Sequence, residues 1–285
     1  MAVILDGKAT SAKLRQGFAK KVEDLKKQGV TPGLAVIIVG DDPASHTYVN
    51  NKKKACAECG FYSEAYELPA ETTEGELLEL IATLNGRDEI NGILVQLPLP
   101  KHIDEEKVIL AINPIKDVDA FHPENVGHIM TGDFSFVPCT PAGVMALLDE
   151  YGIDVKGKRA VVIGRSNIVG KPMAMLLLHR HATVTICHSR TQDLAKLASE
   201  ADILVAAIGK LEFVTRDMVK PGAVVIDVGM NRNAENKLRG DVAFDEVEPL
   251  ASYITPVPGG VGPMTITMLM QNTLRAACLQ KGITL

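Results

Sequence analysis

The sequence predicts a two-domain α/β protein with a helix-covered parallel sheet in each domain, and three observations carry that expectation. The chain has 285 residues, more than one compact core needs. Apolar residues make up 46% of it, enough to bury two cores. Short apolar runs alternate with helical stretches in two successive series, and continuous apolar runs are how strands read when a parallel sheet is covered on both faces.

In the first series, residues 8–28 form an amphipathic pattern that stops at Gly29, a favoured helix-ending residue. Leu34 to Val39 is an apolar strand closed by Gly40, followed by a helix from about Ala44 to Glu58 and a strand near Phe61 to Leu68. Thr72 and Thr73 can cap a helix reaching Leu84. Gly92 to Leu97 is the next apolar strand, ended by Pro98-Leu99-Pro100. Pro138-Cys139-Thr140-Pro141 marks a break, and Pro141 suits the first turn of a helix to about Tyr151.

The second series runs from strand Arg159–Ile163 through helix 168–179 to strand 182–187, then helix 191–199 and strands 203–207 and 223–228. Residues 231–245 are polar and read as a surface excursion. A Gly- and Pro-rich segment, Thr255 to Pro263, opens a last helix to about Gln280, expected to return to the first domain. The expected division is 1–138 for the first domain, completed by helix 265–285, and 139–264 for the second.

Composition excludes several classes. The net charge of −5 is spread along the chain without a basic cluster, so nucleic acid is not an expected partner. Trp is absent, which leaves few stacking platforms for single strands. No run of eighteen apolar residues occurs, and the start of the chain lacks a basic, apolar leader pattern, so a cytoplasmic protein without a membrane span is expected. The five cysteines are an odd set for a disulfide framework, and the lone pair Cys56-x-x-Cys59 has no second pair to complete a metal site.

Gly164-Arg165-Ser166-Asn167-Ile168-Val169-Gly170 follows one strand and precedes a helix, the context a dinucleotide site requires. Gly164 permits a tight turn, Gly170 close helix–sheet packing, and N–H groups at the helix start can meet phosphate oxygens. The pattern is G-x-S-x-x-x-G rather than G-x-G-x-x-G, so an ordinary strand-to-helix turn is the competing interpretation. The second half is therefore expected to be Rossmann-like. The next strand ends at Cys187-His188-Ser189-Arg190, with no acid to accept from a ribose hydroxyl. Ser189 and Arg190, with Arg165, instead suit a 2′-phosphate and favour NADP over NAD.

The first half carries a separate set of polar residues. Tyr48 and Lys52 are four apart and share a helix face, with Ser45 close to the same face. A phenol beside an amine offers a stacking surface and a tunable proton carrier, although a lysine run on a helix is more often solvated surface. Gln96 is the one polar residue at the end of an apolar strand, either a satisfied core amide or a group aimed into a cleft. Asp117 and Asp119 lie in the loop after Asn113-Pro114, and either can cap a turn or grip a flat heterocycle through paired donors.

Taken in order, these segments resemble the bifunctional methylenetetrahydrofolate dehydrogenase/methenyltetrahydrofolate cyclohydrolase family. The resemblance rests on Val39 to Ser45, Tyr48 to Lys52, Gly92 to Pro100, Lys116 to Asp119, Pro138 to Pro141, Gly164 to Pro172 and Thr255 to Thr265. It implies NADP-dependent oxidation of 5,10-methylenetetrahydrofolate, then hydrolysis to 10-formyltetrahydrofolate, in a cleft between the domains. It makes Lys52 the general acid/base, Gln96 its orienting partner, Tyr48 a stacking surface and Asp119 the holder of the pterin edge. It places Leu97 and the Pro258-Gly259-Gly260 turn against folate, and Gly164, Arg165, Ser166, Ser189, Arg190 and Met230 along the dinucleotide. It also implies a homodimer through the second domain, and no metal. One departure is Ala120, where the family usually has Gly; the added methyl restricts the backbone.

Overall fold

The computed structural model describes residues 1–40 and 43–284, with the side chains of 43–48 outside the description. Along the chain the elements are β1 (Val3–Ile4), α1 (Gly7–Lys27), β2 (Gly33–Val39), α2 (Pro43–Cys59), β3 (Tyr62–Leu68), α3 (Glu74–Asn85), β4 (Gly92–Val95), α4 (Glu105–Ala111), α5 (Pro123–Thr131) and α6 (Cys139–Glu150). They continue with β5 (Arg159–Ile163), α7 (Gly170–His179), β6 (Thr183–Cys187), α8 (Leu194–Ala198), β7 (Ile203–Ala206), β8 (Val224–Asp227), β9 (Asn231–Arg232), β10 (Leu238–Arg239), α9 (Phe244–Val247), β11 (Tyr253–Ile254) and α10 (Val261–Gln280). They divide into two compact units, one of residues 12–139 with 266–285, the other of residues 1–11 with 140–265.

The 12–139 unit is built on a three-stranded sheet in the order β3-β2-β4, every pair parallel. All seven residues of β2 are buried, as its unbroken apolar run requires. Ile37, Ile81, Ile93 and Val108 belong to the core that this sheet forms with α3 and α4. Thr73 caps α3 in a full capping box: its hydroxyl accepts from the Glu76 N–H while the Glu76 carboxylate accepts from the Thr73 N–H. The other end of α3 is met by Lys116, only 6% exposed, whose Nζ donates to the carbonyls of Leu84 (3.1 Å) and Arg87 (2.7 Å). A cation there gives both carbonyls a second donor, beside the N–H groups of Arg87 and Ile90, and complements the helix dipole. Lys116→Met is therefore expected to cost about 1–3 kcal/mol of stability, read as a lower urea midpoint with an unchanged slope; an unaltered midpoint would refute the capping role.

β3 is an open edge, and its outer residues carry charge rather than apolar surface. Arg87 ties Glu64 (2.7 Å) and Glu89 (2.8 Å), and the hydroxyls of Tyr62 and Tyr66 both donate to Glu64. Such an edge resists pairing with another strand.

The 140–265 unit holds a six-stranded sheet in the order β1-β11-β8-β7-β5-β6, also parallel throughout. Its core includes Val161, Ile163, Leu204, Val225 and Ile254. The sequence pattern places the start of the first domain at residue 1. Here Val3 and Ile4 pair with Tyr253 and Ile254, and residues 1–11 belong to the other unit. A two-residue strand has no period of its own; only its partner identifies it.

Other differences are local. Sequence periodicity does not predict α4 and α5, because each is short and buries few side chains (Val108 in α4; Asn125 and Ile129 in α5). The polar segment 231–245 is only partly a surface excursion: the β9–β10 hairpin is, but Asp241 and Val242 are buried at 0% and 2% exposure.

Candidate functional site

Lys52 projects from α2, which follows β2, and Gln96 follows the end of β4, the neighbouring parallel strand. Carboxyl ends of adjacent parallel strands gather polar groups in open α/β sheets. Lys52 is 8% exposed, and its Nζ donates to Gln96 Oε1 at 2.8 Å. Gln96 is in turn fixed by donating from Nε2 to the Leu97 carbonyl (2.8 Å), so only its acceptor oxygen faces the amine. Burial pushes the Lys52 ammonium pKa below its ordinary value, against the pull of Asp119.

The two aspartates left open by sequence have different surroundings. Asp117 forms an isolated parallel bridge with Ile93, which lays its segment alongside β4. Its carboxylate accepts from the His122 N–H and Asn125 Nδ2, both at 2.8 Å, and so closes its own loop. Asp119, half-buried, is electrostatically coupled to Lys52; burial pushes its carboxyl up and the lysine pulls it down. Asp119 and Asp117 are the two polar residues of an otherwise apolar recess whose lining includes Val95, Leu97, Val108, Ile112 and Phe121. Apolar walls with a carboxylate suit a flat heterocycle bearing amino groups.

The segment is held from behind. Asn272 of α10 donates to the carbonyls of Val118 (2.8 Å) and Val137 (2.9 Å). Gly92 is needed because a methyl group there would lie 2.6 Å from Val118 Cγ1. Ala120 is buried at φ +57°, the left-handed region that favours glycine, and costs about 1–2 kcal/mol there. Tyr48 lies on α2, but its side chain, that of Ser45, and residues Asp41 and Asp42 are outside the described residues.

Cys139, which the sequence marks only as part of the Pro138–Pro141 break, is buried and donates to the Val118 carbonyl at 3.4 Å; burial keeps it a thiol. Cys56 and Cys59 are buried thiols raised to about 12 and about 11. Neither has the thiolate character that redox or metal chemistry needs.

The other candidates lie in the 140–265 unit. Gly164 leaves β5 at φ +128°, and its N–H donates to the Cys187 carbonyl (2.9 Å), which ties the turn to the end of β6. A Cβ on Gly164 would overlap the Ala207 carbonyl, and one on Gly170 would overlap the Gly164 carbonyl. The turn is closed as tightly as a phosphate cradle requires. Ser166 Oγ accepts from the N–H groups of Val169 and Gly170, both at 3.2 Å. Those two helix-start donors, expected from sequence to face phosphate, are thus already engaged.

Arg165, Ser166, Ser189 and Arg190 are all exposed at this edge, and no ion pair to either arginine occurs among the described residues. Unneutralised guanidinium groups beside a glycine turn fit a phosphorylated dinucleotide. Met230, 49% exposed, follows β8, and its sulfur lies 3.8 Å from where a Cβ on Gly262 would stand. The Pro258-Gly259-Gly260 turn is seated on the chain's start: Lys8 N–H donates to the Gly259 carbonyl (3.1 Å), and a methyl on Gly7 would overlap the Gly260 carbonyl.

Comparison with known proteins covers nearly the whole chain. The profile described as "Tetrahydrofolate dehydrogenase/cyclohydrolase, catalytic domain" matches residues 5–119, and that described as "Tetrahydrofolate dehydrogenase/cyclohydrolase, NAD(P)-binding domain" matches residues 138–281. The chain is 63% identical to the bifunctional protein FolD of Acetivibrio thermocellus, over 98% of both chains. The crystal structure of the bifunctional FolD methylenetetrahydrofolate dehydrogenase/cyclohydrolase of Campylobacter jejuni is similar at 53% identity and a TM-score of 0.96, covering 98% of this chain and 100% of that one. The Trypanosoma brucei N5,N10-methylenetetrahydrofolate dehydrogenase-cyclohydrolase, complexed with NADP cofactor and inhibitor, is 41% identical with a TM-score of 0.94 and covers 98% of both chains.

Proposed function

The chain belongs to the tetrahydrofolate dehydrogenase/cyclohydrolase family, and we infer that it is an NADP-dependent methylenetetrahydrofolate dehydrogenase and a methenyltetrahydrofolate cyclohydrolase. The observation that carries the hydrolytic half is the buried Lys52 amine, 2.8 Å from the Gln96 amide oxygen and coupled to Asp119.

In the first reaction NADP⁺ accepts a hydride from the one-carbon bridge of 5,10-methylenetetrahydrofolate. The side chains orient rather than exchange protons here, because the folate nitrogens support the cation formed. Asp119 accepts from the amino-pyrimidine edge, Leu97 offers apolar contact and Tyr48 a stacking face. Gly164, Arg165, Ser166, Ser189, Arg190 and Met230 hold the dinucleotide, and Pro258, Gly259 and Gly260 line the folate.

The second reaction moves protons. Neutral Lys52 takes one from the attacking water as the C–O bond forms at the methenyl carbon. It returns that proton to the folate N5 as the C–N5 bond breaks, while the new hydroxyl loses its remaining proton to solvent and becomes the carbonyl of 10-formyltetrahydrofolate. Burial already favours the free amine, and a cationic substrate favours it further. Gln96, which offers only an acceptor, keeps the amine aimed.

The test follows NADPH formation from methylenetetrahydrofolate and, separately, loss of methenyltetrahydrofolate absorbance without dinucleotide. Both activities are expected from one polypeptide; a chain that performs only the first would contradict the role of Lys52. Arg190→Ala is expected to raise KM for NADP⁺ about 10–100-fold, the worth of a charge-assisted bond. KM for NAD⁺ should stay within twofold, and an equal loss for both would exclude a 2′-phosphate contact.

The same reading makes the protein a cytoplasmic homodimer. The five free thiols suit a reducing compartment. β6 is the open edge of the six-stranded sheet, with Thr183, Thr185 and Ile186 exposed, and offers a surface for a second copy. Light scattering at the mass of a monomer would contradict it.

A further inference from the structure

Two carboxylates that the proposed mechanism does not use stand behind the carboxyl edge of the six-stranded sheet. Asp227 ends β8 and is 3% exposed; Asp241 follows β10 and is fully buried. Asp241 Oδ2 accepts from the backbone N–H groups of Ile208 (2.7 Å) and Gly209 (3.0 Å). Its Oδ1 accepts from the Lys210 N–H (2.8 Å) and from Asn231 Nδ2 (2.9 Å). Three successive backbone N–H groups converging on one anion form a nest of the kind that usually receives a phosphate or other external anion. In this protein an internal carboxylate fills it.

Asp227 supplies the second layer. Its Oδ1 accepts from the N–H groups of Gly229 and Asp241, and its Oδ2 from that of Val242, all at 2.9 Å. The space for both carboxylates is made by glycine: a Cβ on Gly229 would overlap Asp241, and one on Gly240 would overlap Asp227. The arrangement is costly, since burial pushes the Asp227 carboxyl up to about 7 despite its three donors. An apolar pair would fill the same volume without that cost but could not bind loop N–H groups.

What the two carboxylates hold is specific. Residues 208–210 follow β7, and residue 207 is the one whose carbonyl a Cβ on Gly164 would strike. Asp227 and Ala206 are paired in register, as are Ala206 and Ile163, so the loops after β5, β7 and β8 leave the sheet at one level. Asp241 therefore ties the floor of the glycine turn to the segment that carries Met230.

We propose that Asp241, backed by Asp227, is a positioning residue for the dinucleotide, fixing the loops after β7 and β8 so that the dehydrogenase reaction depends on it and the cyclohydrolase reaction does not. The proposal rests on the assignment of NADP to this edge. It differs from a purely structural role in one respect: its loss should separate the two activities.

The experiment compares wild type, Asp241→Asn and Asn231→Ala. NADP⁺ affinity is measured by calorimetry, KM for NADP⁺ by dehydrogenase assay, and hydrolysis of methenyltetrahydrofolate without dinucleotide. Asp241→Asn replaces two acceptor oxygens with one and sets an amide NH₂ against N–H donors. It is expected to raise Kd and KM for NADP⁺ tenfold or more, with cyclohydrolase kcat/KM within twofold of wild type. Asn231→Ala, which removes one of the four donors, is expected to raise both about threefold, and it decides the matter if Asp241→Asn does not fold. Equal losses in both activities, or NADP⁺ binding unchanged in the folded variants, would overturn the proposal. Absence of NADP-dependent turnover in the wild type would instead overturn the assigned function.

Discussion

Lys52→Met is expected to lower cyclohydrolase turnover about 10²–10⁴-fold, the usual contribution of a positioned acid/base, while dehydrogenase turnover falls within about tenfold and the folded protein becomes more stable at neutral pH. Burial lowers the pKa of Lys52, so the unfolded chain binds its proton more tightly than the folded one does. The folded state therefore bears a cost while the unfolded lysine is charged. That cost is complete below the folded pKa and disappears as pH rises towards the ordinary value of 10.5. Methionine fills nearly the same volume and carries no such cost. The variant's Tm should exceed that of wild type at pH 7, and the gap should narrow as pH rises towards 10.5. Loss of Lys52 also removes the attraction that favours ionised Asp119, so that carboxyl takes up its proton at higher pH in the variant. A variant that hydrolysed methenyltetrahydrofolate at the wild-type rate would remove Lys52 from the mechanism. A variant less stable at pH 7 would mean that its attractions outweigh its burial.

Gly164→Ala is expected to disturb the glycine turn through backbone strain and steric overlap together. At φ +128° the backbone occupies a region that side chains rarely adopt, and the new Cβ would overlap the Ala207 carbonyl. Backbone strain and overpacking each cost about 1–3 kcal/mol. Relief requires movement of either the turn or the loop after β7, and both border the same cradle. NADP⁺ affinity should fall more than tenfold, with the thermal midpoint lowered and hydrolysis of methenyltetrahydrofolate by the folded protein retained. Unchanged NADP⁺ affinity would show that the turn does not approach the dinucleotide. Gly157→Ala makes a suitable control: it shares a positive φ, but a Cβ there meets nothing within 4 Å, so it should lower stability without altering affinity.

Much of the catalytic half was legible because its signals are local. The apolar run of β2, the Thr73–Glu76 box and the four-residue spacing of Tyr48 and Lys52 each lie within one turn or one strand. Gln96 stood out as a polar residue ending an apolar strand, although its role as the partner of Lys52 depends on a pairing 44 positions apart. Asp117 and Asp119 were indistinguishable in sequence, since both are aspartates in one loop. They separate only when His122 and Asn125 are found to occupy the first, leaving the second coupled to Lys52.

By itself the sequence determined the alternation of strands and helices, the glycine turn after β5 and the absence of an acid after β6, because periodicity, turn chemistry and residue type are properties of contiguous residues. Tertiary structure alone decided that residues 1–11 join the six-stranded sheet, that Lys116 caps the end of α3, and that Asp241 lies beneath the loop after β7. In each of these cases the deciding partner lies about 30 or more residues away. A buried charge and a solvated one are written with the same letter, and only the packed neighbours determine which it is.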